Sequence, residues 1–224
     1  MDGANFDMLL GRMDFRLARA RLGRRVCGFT HKRMRPFLSL SLLLCITATS
    51  VRAEDFKPEP GFISLINGKD LTGWRYKPDE KFDGKTEASD GRYTAKDGMI
   101  VVNDYNKEKG PHLRQLWTTQ EFPKNFILKL EFRASVNADS GIFIREPQLQ
   151  CRDYLVAGPY KALKSYKPQD WNLIEVTVKD GVAHCTCNGE VLEEALKLPA
   201  TGPIGLEADR GQMEYRRIQL KELP

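Results

Sequence analysis

The chain has 224 residues, which is enough for one well-buried domain. Its formal net charge of +5 comes from the first 53 residues, where ten Lys and Arg residues stand against three acids. Because that segment contributes +7, residues 54–224 carry −2 and show no basic stripe. A mildly acidic body of this kind argues against a protein that binds the phosphate backbone of a nucleic acid.

Residues 34–53 have the layout of a secretory signal peptide. A basic start precedes an apolar run from Phe37 to Ile46, and small residues follow up to Ala53. The run is too short for a membrane-spanning helix, which needs ~20 residues. Two alternatives stay open, an uncleaved anchor and a lipoprotein modified at Cys45, although bulky Leu44 before it disfavours the second.

Cleavage after Ala53 predicts an exported protein, periplasmic or extracellular. Residues 1–33 do not resemble a signal, so we expect translation to start at Met34 and take residues 1–53 as a signal peptide with an extension. Mass spectrometry of the native protein should find its N-terminus near Glu54. An intact cytoplasmic chain that begins at Met1 would contradict export.

Strand signals recur from Gly61 to the end of the chain. Residues 126–133 alternate between apolar and polar side chains, which is the period of a half-buried strand. Short segments of this kind are separated by turn pairs: Asn67-Gly68, Asp97-Gly98, Asp180-Gly181, Asn188-Gly189 and Arg210-Gly211. No long segment has helical period. The pattern predicts one all-β sandwich of two antiparallel sheets over residues 61–223.

Three cysteines remain after the leader, and none belongs to a C-x-x-C motif: Cys151, Cys185 and Cys187. A structural zinc site is therefore not expected. We favour three free thiols packed in the core. The alternative is a disulfide from Cys151 to one of the other two, which an oxidising compartment would allow.

Polar residues gather around a short predicted strand at "PQLQCRD". Gln148 and Gln150 share one face with Arg152, while Leu149 and Cys151 occupy the other. The same parity places Glu131 and Arg133 opposite Leu130 and Phe132, and Arg145 after Ile144. These polar side chains line either a binding cleft or a solvated sheet face with ion pairs worth ~0–1 kcal/mol.

An ordered set of motifs resembles the 3-keto-disaccharide hydrolase domain family. The motifs are "LINGKDLTGW" (65–74), "DSGIFIR" (139–145), "DWN" (170–172), "CNGEVLEE" (187–194), "GPIGLEAD" (202–209) and "MEYRRIQLKEL" (213–223). The resemblance implies a concanavalin- or laminin-G-like jelly roll with a sugar cleft on its concave sheet. It also implies activity on glycosides that are oxidised to a ketone at carbon 3.

This sequence differs from the usual motif of the family at a position that could affect catalytic activity. Family members often read Gly-Tyr-Glu-Val-Gln-Ile-Leu-Asp where this chain has "EPQLQCRD", so Gln148 stands at the position of the glutamate. Gln150 and Asp153 keep the residue types of the family. The familiar Asn-Ser-Gly is also Asp139-Ser140-Gly141 here.

A ketone at C3 acidifies the hydrogen on C2, so the implied reaction needs a base, a donor for the enolate oxygen and an acid for the leaving group. We expect Arg145 to bind the enolate oxygen. The other catalytic candidates are Asp153, Glu131 and His112. The candidates for binding the sugar are Gln148, Gln150, Arg133, Asp139, Tyr154, Tyr160 and Lys164. The tryptophans Trp74, Trp117 and Trp171 are interpreted as core anchors.

No cofactor is predicted with certainty. A divalent cation held by loop carbonyls and acids such as Asp139 stays open. The expected partner is an oligosaccharide or a 3-keto-glycoside, with no nucleic acid. The alternative function is a catalytically silent glycan-binding sandwich. Ordinary two-carboxylate glycoside hydrolysis is a third option, but no clear pair of acids is visible.

Overall fold

The computed structural model describes residues 56–156 and 158–224. The predicted signal segment lies outside these residues. The regular secondary structure of the described part is almost entirely β-strand. Its strands are β1 (Ile63–Ser64), β2 (Trp74–Tyr76), β3 (Glu80–Lys81), β4 (Tyr93–Lys96), β5 (Met99–Val102), β6 (Arg114–Thr118), β7 (Phe126–Ala134), β8 (Gly141–Ile144), β9 (Gln148–Gln150), β10 (Asn172–Lys179), β11 (Val182–Cys187), β12 (Glu190–Lys197), β13 (Ile204–Ala208) and β14 (Met213–Glu222).

The strands form two antiparallel sheets, as the sequence predicted. The eight-stranded sheet has the order β12-β11-β10-β7-β14-β5-β4, and β1 pairs with β14. The six-stranded sheet has the order β3-β2-β6-β13-β8-β9. The jelly-roll β-sandwich is therefore confirmed. A single 3₁₀ turn, Pro159–Ala162, is the only helical element among the described residues, and no helix there is long and apolar enough to cross a bilayer.

The core lies between the two sheets. Strand β7 alternates between buried and half-buried positions along its whole length, as predicted for residues 126–133. Its apolar side chains, such as Leu130 and Phe132, meet inward residues of the six-stranded sheet such as Ile142 and Leu206 within one apolar cluster. The cysteines Cys151, Cys185 and Cys187 are free and buried in that cluster, which agrees with the favoured interpretation.

Three of the five predicted turn pairs close hairpins. Asp97-Gly98, Asp180-Gly181 and Asn188-Gly189 each have two positive φ angles, which suits a two-residue turn between paired strands. The expectation of a hairpin at Arg210-Gly211 was wrong. Strands β13 and β14 belong to different sheets, so this turn carries the chain across the sandwich. Asn67-Gly68 likewise lies between strands of different sheets.

Candidate functional site

The polar residues predicted from parity lie on two opposite faces of the sandwich. Gln148 and Gln150 are on β9 of the six-stranded sheet, and their side chains point away from buried Leu149. Glu131 and Arg133 are on β7 of the eight-stranded sheet and also point away from the core. One site cannot contain both pairs, because the core separates the two outer faces.

The outer face of the eight-stranded sheet is occupied by ion pairs. Arg216 donates to Glu131 at 2.7 Å and Arg217 at 2.9 Å, so both oxygens of this carboxylate are bound. Arg133 pairs with Glu214 and lies 4.8 Å from the ring centre of Trp171. The expectation that Glu131 and Arg133 belong to the same cleft as Gln148 was wrong, because β7 lies in the other sheet.

Arg145 is a structural residue. Its guanidinium donates to the carbonyls of Phe122 at 2.9 Å, Lys124 at 2.8 Å and Pro199 at 2.7 Å, and the residue is 5% exposed. The expectation that Arg145 faces the cleft as a donor to the enolate was wrong. Positive φ at Arg145 breaks the strand alternation on which that expectation depended.

The two tyrosines are not available for sugar stacking. Tyr154 is fully buried and donates to the carbonyl of Gln150 at 2.6 Å. Tyr160 is 8% exposed, and its hydroxyl donates to Glu193 at 2.6 Å. The sequence predicted that both lie in a loop and bind the sugar, but the two rings pack in the core cluster, in edge contact at 5.3 Å.

Asp153 and Lys164 organise loops. The buried carboxylate of Asp153 accepts from the backbone N–H of Asn137 at 3.1 Å and from that of Leu155 at 3.3 Å. The backbone N–H of Lys164 donates to Glu190, which lies on β12 of the eight-stranded sheet. The structure does not bring Lys164 to the face that carries Gln148, so its predicted role in that site was wrong.

The outer face of the six-stranded sheet carries a carboxylate that sequence reasoning missed. Glu207 lies on β13 between the inward residues Leu206 and Ala208. The strand register places it beside Gln115 of β6 on one side, and beside β8 and β9 on the other. The same parity rule that singled out Gln148 would have found Glu207 in "GPIGLEAD".

Gln148 makes direct contact with Glu207. Its side-chain amide donates a short hydrogen bond to the Oε2 atom of Glu207. The Gln148 side chain crosses above Gly141, where an added Cβ would come within 2.3 Å of the amide nitrogen. Glycine at position 141 therefore leaves the space in which Gln148 reaches Glu207.

A series of hydrogen bonds continues from Gln148 along the face. The amide of Gln150 donates to Gln148 at 3.2 Å, and Arg152 donates to Gln150 at 3.3 Å. Arg152 also pairs with Asp139 at 2.9 Å, and this arginine side chain is 11% exposed. The predicted residues Gln148, Gln150 and Asp139 are thus brought together around Glu207.

Burial raises the pKa of Glu207 to about 7. Removal of water from the carboxylate is the largest cause, and the negative charge of Asp209 adds to it. The hydrogen bond from Gln148 acts in the opposite direction and lowers the pKa. A carboxylate that titrates near neutral pH can accept and release a proton during one reaction cycle.

His112 lies close to Asp209, on the outer face of the six-stranded sheet that carries Glu207. Its Nδ1 atom is 3.2 Å from the carboxylate of Asp209, and its side chain is half exposed. Asp209 follows Glu207 by two residues on the same face, and its charge acts on Glu207. We call Glu207 and Asp209 the acidic centre. The carboxylate of Asp209 therefore orients the imidazole of His112 beside this centre. This placement keeps His112 as a candidate proton donor.

The described residues contain no group of three or more His, Cys, Asp and Glu side chains that could hold a metal ion. The carboxylate of Asp139 instead faces two guanidinium groups, those of Arg152 at 2.9 Å and Arg210 at 3.6 Å. A cation at Asp139 would have to compete with both arginines.

An aromatic pair lies next to the acidic centre. Trp117 of β6 and Phe143 of β8 lie 5.1 Å apart between ring centres, on either side of Gly205 of β13. A Cβ at Gly205 would meet the indole at 2.8 Å, so the absent side chain lets the rings meet.

Of the three tryptophans, only Trp74 and Trp117 are buried, and Trp117 lies outside the core cluster. The interpretation of all three tryptophans as core anchors was therefore wrong.

Comparison with known proteins assigns the chain to a family. Residues 61–221 match the model of the 3-keto-alpha-glucoside-1,2-lyase-like domain. The chain belongs to this family. The match runs from before β1 to the penultimate residue of β14 and contains Glu207, Gln148 and His112. No curated protein matches the chain by sequence.

The fold of this chain resembles two solved structures of putative glycosyl hydrolases from Parabacteroides distasonis ATCC 8503. One has a TM-score of 0.54 at 18% identity and covers 73% of this chain and 94% of its own. The other has a TM-score of 0.53 at 18% identity and covers 72% and 99%. At this level of identity the likeness establishes the shared fold.

Gln148→Glu should raise the pKa of Glu207 above its present value of about 7. The change puts a second carboxylate in hydrogen-bond contact with the first, and two such groups must share a proton before both ionise. Carbon-13 NMR titration of labelled glutamate carboxyls measures the shift. The matched control is Gln150→Glu, where the new carboxylate meets Arg152 and the Glu207 titration should move less. An unchanged titration in Gln148→Glu would show that the two side chains do not touch.

Proposed function

We propose that the protein cleaves 3-keto-glycosides by elimination across C1 and C2, with Glu207 as the base. The observation that carries this proposal is the half-buried carboxylate of Glu207 on the outer face of the six-stranded sheet, in hydrogen-bond contact with Gln148, where burial raises its pKa to about 7. Family membership supports the reaction class, because the family's description is a 1,2-lyase-like domain. Export of the protein is part of the same proposal and depends on the signal at residues 34–53.

The proposed reaction begins with proton removal. The ionised carboxylate of Glu207 takes the hydrogen from C2, which the neighbouring ketone acidifies, and an enolate forms. The C1–O bond then breaks as the C1–C2 double bond forms, and the leaving oxygen takes a proton from solvent. Water adds back to C1 of the unsaturated ketone, so the balance is hydrolysis. Glu207 returns its proton to solvent.

The enolate oxygen needs donors, and the amides of Gln148 and Gln150 are on the required face. Both side chains are half-buried, which strengthens such contacts relative to bulk water. Arg145 has no part in this step, because it is buried and its guanidinium is directed at three backbone carbonyls. Amide donors stabilise an anion less than a guanidinium would.

The second candidate function is a silent glycan-binding sandwich. It is favoured by Gln148, which stands where the resemblance places a glutamate. In the proposed enzyme the carboxylate is supplied instead from the neighbouring strand by Glu207, in direct contact with Gln148. The binding function needs no ionisable group near neutral pH, so the raised pKa of Glu207 favours the enzyme.

One experiment separates these functions. The chain from Glu54 is incubated with a 3-keto-glucosyl-glucose and, separately, with its unoxidised parent, and products are followed by mass spectrometry. We expect the ketone to be cleaved and the parent to stay intact. Cleavage of both would indicate ordinary glycoside hydrolysis. Binding without cleavage of either sugar would establish the silent module.

A further inference from the structure

Three cations lie together on the outer face of the six-stranded sheet, at its β2–β3 edge. Arg75 of β2 is paired directly with Lys81 of β3, so both side chains point to the same side. Lys77 follows β2, and its ammonium lies 3.8 Å from the ring centre of Trp117. We call Arg75, Lys77 and Lys81 the cationic edge. It lies on the same face as Glu207.

The cationic edge has one ion pair among the described residues, from Arg75 to Asp79, and the Arg75 guanidinium also donates to the carbonyl of Pro78 at 2.7 Å. Lys77 and Lys81 are exposed and make no ion pair with another described side chain. Arg75 has Asp79 at 3.8 Å, but 79% of that acid's side chain is in water, where such a pair is worth ~0–1 kcal/mol. The Nε atom of Arg75 is buried without a hydrogen-bond partner. Like charges directly opposite on paired strands repel each other. A bound anion would relieve this repulsion.

The indole of Trp117 lies between the cationic edge and Glu207, and the residue is 8% exposed with the Lys77 ammonium over its ring. Register places Arg75, Trp117, Gly205 and Phe143 in one row across four neighbouring strands. Lys77 is exposed to solvent, so displacing its side chain would uncover the indole. An exposed cation–aromatic contact of this kind is weak, so an anionic group that attracts Lys77 can draw it off the ring.

The distance from Glu207 decides which sugar the cationic edge would meet. Strands β2 and β13 are separated by β6, and neighbouring strands lie ~4.8 Å apart. Arg75 is also displaced from Glu207 by two residues along the strands, about 7 Å. The diagonal of about 12 Å exceeds the width of one sugar ring. An anion held by Arg75 therefore belongs to the neighbouring sugar and not to the ring above Glu207.

We propose that the site prefers glycosides whose leaving sugar carries an anionic group, a carboxylate or a sulfate. In this arrangement the cationic edge binds the anion, the ring of the leaving sugar covers Trp117, and the oxidised ring lies above Glu207. The inference rests on the proposed function, because it takes Glu207 as the position of the reacting ring. It goes further in naming the class of leaving group.

The first test measures binding of unoxidised ligands, so that turnover plays no part. The probes are glucosyl-glucose, glucosyl-glucuronic acid and glucosyl-glucose 6-sulfate, titrated by NMR into the chain from Glu54. We expect the two anionic disaccharides to bind more tightly than the neutral one, with a preference that shrinks as salt is added. The carboxylate and sulfate arms show which anion fits better. Equal binding of all three would overturn the proposal.

The second test removes the charges. In the double variant Lys77→Ala/Lys81→Ala we expect binding of the anionic disaccharides to weaken about tenfold, the combined effect of two exposed charge contacts. Binding of glucosyl-glucose should not weaken, because the variant removes no contact to a neutral sugar and uncovers the Trp117 indole. The matched control is Lys96→Ala/Lys179→Ala, which loses the same charge from exposed positions on the eight-stranded sheet. An anionic preference that survives in the first variant, or disappears equally in the control, would overturn the proposal.

The 3-keto forms of the same probes separate this inference from the proposed function. Cleavage of ketones with no anionic preference in kcat/KM would leave the enzyme standing and remove the specificity. A binding preference lost in the Lys77→Ala/Lys81→Ala variant, with no cleavage of any ketone, would support anion recognition by a glycan-binding module and remove the proposed reaction.

Discussion

Replacing Glu207 with glutamine is expected to lower turnover of a 3-keto-disaccharide about 10²–10⁴-fold, the usual contribution of a positioned base. The substitution keeps the shape of the side chain and removes its capacity to accept the C2 proton. Because the base acts only when ionised, kcat/KM of the unaltered protein should rise with pH through about 7, the pKa of Glu207. Steady-state kinetics across pH 5–9 measure both effects.

The matched control for this change is Glu175→Gln. Glu175 lies on the outer face of the eight-stranded sheet beside Lys129, so its loss removes one carboxylate without touching the site. Turnover should stay within about twofold in the control, as expected for an exposed surface change. Full activity in Glu207→Gln would remove the base from the mechanism, whereas inactivity of both variants would indicate a folding defect.

The contribution of Glu207 to the stability of the fold should fall as the pH rises, whereas kcat/KM rises. The folded-state pKa of Glu207 is raised from 4.5 to about 7, so the folded chain binds this proton more tightly than the unfolded chain. Its contribution is present below about pH 4.5 and is lost as the pH rises through about 7. Glu207→Gln carries no such charge, so its Tm at pH 8 should equal or exceed that of the unaltered protein.

Arg145→Ala should destabilise the fold by about 3 kcal/mol, because it leaves carbonyls at Phe122, Lys124 and Pro199 without their donor. For a domain of this size the change lowers the Tm by about 6–12 °C. Thermal unfolding followed by circular dichroism measures it. Arg145→Lys should recover only part of the loss, since one ammonium cannot reach three acceptors in the geometry of a guanidinium.

A comparison with an exposed arginine isolates the cause. Arg217→Ala removes a guanidinium that is half exposed and bound to Glu131, and its Tm should fall by much less. Below its Tm, Arg145→Ala should retain turnover of the 3-keto-disaccharide. A stable Arg145→Ala protein without activity would restore Arg145 to the reaction and contradict its structural role.

Strand positions and side-chain parity were predictable because they follow from the two-residue period of a sheet. That rule placed Gln148 and Gln150 outside and Leu149 inside, and it would have placed Glu207 outside as well. It could not show which sheet each strand joins, so Glu131 and Gln148 were assigned to one cleft. Sheet membership depends on pairings between residues far apart in the chain.

The failures at Arg145, Tyr154 and Tyr160 have a different origin. Each lies where regular alternation stops, at a positive φ or in a loop. Polar and amphipathic side chains at such positions can satisfy buried backbone carbonyls as readily as they can meet a ligand. The raised pKa of Glu207 was also beyond sequence reasoning, because it arises from burial among strands that the chain order does not reveal.

The hydrogen bonds that run from Arg152 through Gln150 and Gln148 to Glu207 all point in one direction. Arginine can only donate, so it fixes which end of the Gln150 amide faces it, and Gln150 fixes Gln148 in turn. The last amide must therefore present hydrogen to Glu207 and cannot rotate to present oxygen without breaking its bond to Gln150. Glu207 can keep this bond in its protonated form only with the proton on its other oxygen, Oε1, because Oε2 must accept from Gln148. The alignment therefore leaves Oε1 as the oxygen that takes up and releases the proton.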